Sequence, residues 1–299
     1  MTNSMNFNVT ALEPVTLHGP PALMERALMS PYVWQERDGR LGIMVRAVPN
    51  DLDRSDTGVI WAGWSDDGHV FWMDDQPAIL PGPAAIDIGG VEDPTVVPMA
   101  DGSYVVYYTG VCADMAHGEM LYAAGPDIRH LEKRGVALAS TKSMGNTKEA
   151  TVNRTADGHW RLFYEYALDN TSRIGLAIGP DVGGPWSEEP TPILPRSDSW
   201  DNYHLSTGPM LMDDPDCPVM FYNGATADAR WRIGWVAFAR DCMSVVARGI
   251  EPLITPPPVA DRSSTDIAFA ASVIVQRNEI WLYYSLEDRK LARARIVRS

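Results

Sequence analysis

The chain has 299 residues, 45% of them hydrophobic, enough for a large core, and no linker-like or low-complexity tract divides it. Acidic residues outnumber basic ones 39 to 25, a formal charge of -14. That balance speaks against nucleic acid or an anionic membrane surface as a partner, because both demand clustered Lys and Arg.

Along the chain one small pattern recurs five times. A polar turn stands at Asp38-Gly39, Asp101-Gly102, Asp157-Gly158, residues 214–216 and Arg277-Asn278. Each is followed by an aromatic or aliphatic β-rich run: 41–45, 104–108, 160–166, 219–222 and 280–284. A second run follows each of these: 59–64, 120–124, 174–178, 233–238 and 291–297. The turns recur about every 55 to 65 residues, within reach of one four-stranded propeller blade per period. Helical periodicity is scarce. The expected fold is therefore all-β, a five-bladed β-propeller forming a single domain over 1–299. Its blades fall roughly at 25–85, 86–140, 141–198, 199–258 and 259–299 plus 7–18.

The first four units each carry a further segment, at 70–80, 131–138, 186–194 and 245–254, whereas the fifth stops at Ser299. The N-terminal stretch 9–17 has the same pattern, so it is expected to supply the outer strand of the last blade and close the ring. Three cysteines (Cys112, Cys217, Cys242) are odd in number and lack metal spacing. Residues 1–20 contain no Lys, no Arg and no apolar signal-peptide core, and no stretch approaches membrane-spanning length. A reduced, cytoplasmic protein is expected.

The first strand of each propeller blade lines the central channel, so residues opening those strands converge. Here the openings read Ser30-Pro31-Tyr32, Glu92-Asp93-Pro94, Lys148-Glu149-Ala150, Ser206-Thr207-Gly208-Pro209 and 266–271. Glu92, Asp93 and Glu149 thus meet at one end of the funnel. Cleaving a glycosidic bond needs two carboxyl groups, one protonated for the leaving oxygen and one ionised for water or a nucleophile. Aromatic surfaces for a sugar are available at Trp34, Trp61, Trp64, Trp200, Tyr203, Trp231 and Trp235, most of them core candidates. The polar loop Trp200-Asp201-Asn202-Tyr203-His204 is the best placed for rim contacts. Six scattered histidines lack ligand spacing, so neither a catalytic metal nor another cofactor is expected.

The segments Gly90-Val91-Glu92-Asp93-Pro94 and Tyr107-Tyr108-Thr109-Gly110 resemble glycoside hydrolase family 130, the β-mannoside phosphorylases and mannosidases. So do Lys148-Glu149-Ala150, Phe221-Tyr222-Asn223-Gly224, Arg232-Ile233-Gly234 and Tyr283-Tyr284-Ser285-Leu286-Glu287-Asp288. The resemblance runs from about residue 30 to the C-terminus. It implies Asp93 as general acid, acting through a sugar hydroxyl, with Glu92 orienting it. Asp288 and Arg46 would contact the sugar. Lys148, Tyr108 and Tyr166, together with Tyr203 and His204 of the polar loop, are the further candidate substrate contacts.

The departures bear on the reaction. The family's Glu-Asp-Pro-Arg reads Glu92-Asp93-Pro94-Thr95, its third-blade His-Arg is replaced around Tyr164-Glu165-Tyr166, and its Tyr-His-Gly reads Tyr222-Asn223-Gly224. Lys148 and Arg154 survive, yet a phosphate needs several aligned donors. Inverting hydrolysis of a small oligosaccharide is therefore expected, with Glu165 or Glu149 activating water. Phosphorolysis by a rebuilt anion site, a furanosidase resembling families 43 and 32, and a non-catalytic carbohydrate-binding propeller stay open. The furanosidases usually open blade one with an aspartate, where this chain has Ser30. Exposed outer strands offer a surface for a homo-oligomer.

Overall fold

The computed structural model describes residues 5–50, 57–258, 260 and 265–299. Apart from one helical turn it is built of β-strands. The N-terminal segment gives β1 (Phe7–Pro14) and β2 (Thr16–His18), followed by the turn α1 (Pro21–Met24). The first unit continues with β3 (Arg26–Gln35), β4 (Leu41–Pro49), β5 (Val59–Ser65) and β6 (Val70–Met73). The second holds β7 (Gly90–Pro98), β8 (Tyr104–Val111), β9 (Gly118–Gly125) and β10 (Glu132–Leu138). The third holds β11 (Gly145–Arg154), β12 (Trp160–Leu168), β13 (Thr171–Gly179) and β14 (Ser187–Glu189). In each, antiparallel neighbours in sequence are neighbours in the sheet, as short turns dictate.

The fourth unit departs from the expectation of continuous strands. It is interrupted at one level into β15 (His204–Ser206) and β16 (Met210–Leu211), β17 (Val219–Met220) and β18 (Asn223–Ala225), and β19 (Arg232–Ile233) and β20 (Val236–Phe238), with β21 (Val245–Arg248) outermost. Bonds from Phe221 N to Pro209 O and from Gly234 N to Tyr222 O carry the pairing across the break. Gly208 allows the kink, since a Cβ there would lie 1.8 Å from Phe221 O. The last unit is β22 (Ala268–Gln276), β23 (Glu279–Leu286) and β24 (Lys290–Arg298).

The N-terminal segment divides its pairing. β1 joins β24 antiparallel, as the outer strand the last unit lacks. Beyond Pro14 the chain crosses over, and β2 pairs in parallel with β6 of the first unit, where the sequence suggested one strand through Leu17. Proline fits this handover because it cannot donate to a ladder.

Five hydrophobic cores among the described residues each bridge two units. Val33 to Phe71 of the first unit pack on Trp281 and Tyr283 of the last, and Trp34 and Met44 on Val96 and Tyr108. Val105 and Tyr107 meet Val152 and Leu162, Phe163 and Leu176 meet Met220 and Val236, and Phe221 and Trp235 meet Leu282 and Tyr284. Period-two alternation produces these seams, because each β-face turns apolar residues toward its neighbour. No helix among the described residues is long and apolar enough to cross a membrane.

Candidate active site

The inner strands share one irregularity. Pairing slips between Met29 and Tyr32 on β3, Glu92 and Thr95 on β7, Lys148 and Thr151 on β11, and Ala270 and Ser272 on β22. A β-bulge leaves a residue unpaired and re-aims its side chain. Within three of these bulges φ is positive: 52° at Ser30, 50° at Asp93 and 52° at Glu149. Such backbone is unfavourable for a residue with a Cβ and persists where its surroundings enforce it. All three line one cavity of about 200 Å³, which Asp288 (φ 52°) reaches from the turn after β23.

Hydrogen bonds tie the cluster across units. Ser30 Oγ donates to Asp93 Oδ1 at 2.6 Å, and the Ser30 amide donates to Ser285 Oγ at 2.8 Å. Asp93 and Glu149 line the cavity together. Arg46, on β4, places Nη2 2.5 Å from Glu92 Oε1 and Nη1 3.7 Å from Asp93 Oδ1. Its Nε and Nη2 also donate to Thr57 O, at 3.0 and 2.8 Å. Gly90 makes this approach feasible: φ is 148°, and a Cβ there would lie 2.0 Å from Thr57 Oγ1. Lys148 and Glu165 are opposed across β11 and β12, Nζ to Oε1 3.4 Å, and Ser172 Oγ donates to the same Oε1 at 2.8 Å.

Five carboxyl groups (Glu92, Asp93, Glu149, Glu165, Asp288) line the cavity against two cations, Arg46 and Lys148. Burial raises the Glu149 carboxyl well above the ordinary range, and the charges of Asp93 and Glu165 push the same way against a smaller pull from Lys148. Glu92 is raised by burial, with Arg46 opposing and Asp93 reinforcing; Asp288 is raised by burial, with Arg46 opposing. Lys148 is raised in turn, chiefly by Glu165, which with the other carboxylates outweighs burial. Glu149 therefore retains a proton beyond the usual carboxylate range.

Of the residues expected from sequence, Asp93, Glu165, Glu149, Glu92, Arg46, Lys148 and Asp288 gather around this cavity, and Trp231 joins them. His204 lines an adjoining cavity of about 370 Å³ that shares Glu92, Lys148, Glu165 and Ser172 with the first. Other expectations are corrected. Tyr108 is buried in the core between the first two units, its hydroxyl 3.4 Å from Asp87 Oδ2. Tyr166 packs against Tyr164 beside the next core. Alternation explains both, because each adjoins a cavity-lining residue (Thr109, Glu165) and so faces the other way. Tyr203 lines neither cavity, and its ring packs on His204.

Trp200 is no rim platform either: it stacks on Tyr222, and its Nε1 donates to Ile250 O at 3.0 Å. Arg154 sits exposed, with Nε on Gly158 O, and adds no cation to the site. Asn223 is buried and joins units four and five, donating to Thr207 O at 2.6 Å and accepting from Ala270 N at 2.7 Å. Ser172 escaped sequence reasoning, since only the β12–β13 register brings it to Glu165. Among the described residues no group of three or more His, Cys, Asp or Glu is arranged to hold a metal ion.

No protein-family model and no curated protein matches the chain. Solved structures do share its fold. The β-1,2-mannobiose phosphorylase of Listeria innocua matches with a TM-score of 0.75 at 17% identity, over 96% of this chain and 90% of that one. A structure from glycoside hydrolase family 130, described with hydrolases that target β-1,2-mannosidic linkages in Candida mannan, matches at 0.75 and 19%, over 90% and 84%. A Parabacteroides distasonis protein described as a glycoside hydrolase gives 0.75 and 20%, over 90% and 86%. The chain thus has the fold found in family 130 mannoside phosphorylases and hydrolases.

Proposed function

We propose that the protein is a family 130 type glycoside hydrolase that cleaves β-mannosides or related short oligosaccharides with inversion, using water in place of phosphate. The five units are read as blades of one propeller domain whose ring is closed through the N-terminal segment. The five inter-unit cores, one of them between last and first, support that closure. Mannosides are suggested by the printed substrates of proteins sharing the fold.

The observation that carries the reading is the charge balance of the 200 Å³ cavity, five carboxyl groups to two cations. Both cations are already engaged, Arg46 by Glu92 and Lys148 by Glu165. A phosphate would enter against that excess of negative charge with few free donors. A sugar and a water would not.

Asp93 donates a proton to the departing glycosidic oxygen, directly or through a sugar hydroxyl. As the carbon–oxygen bond breaks, water attacks the anomeric carbon from the opposite face and gives a proton to Glu165. Glu165 is favoured over Glu149 as base because Glu149 is the group held protonated by burial. Lys148 and Ser172 fix Glu165; Arg46 anchors Glu92 beside Asp93, and Asp288 faces the sugar hydroxyls.

Asp93→Asn tests this with β-1,2-mannobiose in phosphate-free buffer. Turnover is expected to fall by about 10²- to 10⁴-fold with binding retained. An unchanged rate would remove Asp93 from the chemistry.

A further inference from the structure

At the strand ends opposite the proposed catalytic cavity, a recess of about 580 Å³ opens along the seam between the first two units, a size usual for ligand pockets. Strand register fixes its place. Trp34 on β3, Gly42 on β4 and Trp64 on β5 are cross-strand neighbours, and Gly42 stands four residues along β4 from Arg46. Tyr104 begins β8, five residues before Thr109, the partner of Glu92. At about 3.3 Å per residue the recess therefore lies roughly 13 to 17 Å along the strands from Arg46 and Glu92. The two spaces share no lining residue.

One carboxylate holds the aromatic walls. Glu36 accepts Trp34 Nε1 at 2.8 Å and the Tyr104 hydroxyl at 2.5 Å, which sets the two rings 6.3 Å apart and inclined at 67°. Trp64, half-buried, stands across the recess with the Arg40 guanidinium 5.4 Å from its ring centroid. Polar pairs form the rim: Arg40 Nε donates to Asp38 Oδ2 at 2.8 Å, and His130 Nδ1 lies 2.8 Å from Asp127 Oδ1. Arg129 of the second unit reaches Asp74 of the first with two bonds, at 3.1 and 2.6 Å. Arg37 of the first unit donates to Met99 O and Ala100 O of the second. These ties across the seam set the walls before any ligand arrives, which lowers the cost of binding one.

Charge selects the class of ligand. Four carboxyl groups (Glu36, Asp38, Asp74, Asp127) face three guanidinium groups and one imidazole, so the recess has no excess of positive charge to draw an anion. A wholly apolar ligand would bury those ionised groups without partners. A neutral sugar suits both surfaces: its C–H face lies on an indole, and its vicinal hydroxyls match the planar donors and acceptors of the Arg129–Asp74 pair. We propose that this recess is a second carbohydrate site, remote from the catalytic cavity, which holds a neutral oligosaccharide on Trp64 and the Arg129–Asp74 pair. The assignment rests on the glycosidase reading only for the choice of a mannoside as probe.

The test is calorimetric titration of β-1,2-mannotriose into Asp93→Asn, so that the ligand survives, alone and combined with Trp64→Ala or Arg129→Ala. The parent is expected to bind two molecules per chain. Affinity at one of the two sites should fall about tenfold with Trp64→Ala, the share of one stacking ring, while the other site keeps its affinity. Arg129→Ala, at a position 70% exposed where truncation spares the core, should lower the same site about threefold to tenfold. Binding that neither change alters, whatever its stoichiometry, overturns the second site, as does the absence of binding. Trp64-dependent binding of a trisaccharide that the wild type fails to hydrolyse would instead sink the glycosidase reading and keep the second site.

Discussion

Asp93 and Glu149 share one carboxyl-rich pocket on backbone that residues with a Cβ avoid, and both facts carry consequences at the scale of single residues. Because burial raises Glu149, the folded chain keeps a proton that the unfolded chain releases above the usual carboxylate range. The stability it contributes is complete below that range and is lost as pH climbs through the raised value. Glu149→Gln removes this slope. Its melting temperature is expected to exceed that of the parent by a margin that widens from about pH 5 to about pH 8, read by thermal denaturation; a margin that stays constant contradicts the assignment.

Asp201 sets a contrast. It is fully buried but compensated, taking Arg196 Nε at 3.0 Å, Arg248 Nη2 at 2.5 Å and the Tyr222 hydroxyl at 2.6 Å. Asp201→Ala strands both guanidinium groups and should destabilise by about 3–5 kcal/mol in chemical denaturation. A loss near zero would mean the network is exposed to water. In sequence, Asp93 and Glu149 were legible because strand openings converge in such a fold. Tyr108 and Tyr166 were not, because the side to which a strand residue points depends on register, and each bulge resets it.

At the scale of elements, the repeated bulge builds the site and the N-terminal segment binds the ends of the chain together. The strand runs were readable from their aromatic and β-branched composition, and β1 beside β24 followed from counting an outer strand short. The handover of β2 to β6 was not readable, since a three-residue parallel pairing leaves no periodic trace. Nor was the break in the fourth unit, which depends on Gly208 lying against the neighbouring backbone. Phe7 anchors β1 against Phe221 and Trp235, with centroids 5.5 and 5.2 Å apart. Phe7→Ala should destabilise by about 3–5 kcal/mol, the range for emptying a buried aromatic site. Deleting residues 1–18 should lower the melting temperature further, because it also bares the edges of β24 and β6. An unchanged melting temperature after the deletion would refute the closing role.

For the whole molecule, residues from all five units meet in a cavity that is rich in carboxyl groups and poor in free cations. The repeat could be read from recurring turns; the charge balance could not, because the Lys148–Glu165 and Arg46–Glu92 pairs exist only once the sheets are assembled. On the proposed reading, that balance favours water over phosphate as the acceptor of the cleaved sugar. The most direct measurement is an NMR time course of β-1,2-mannobiose cleavage in phosphate-free buffer. Free mannose is expected to appear first as the α-anomer, without any added phosphate. Cleavage that starts only when phosphate is supplied, and releases mannose 1-phosphate, would contradict hydrolysis at this site.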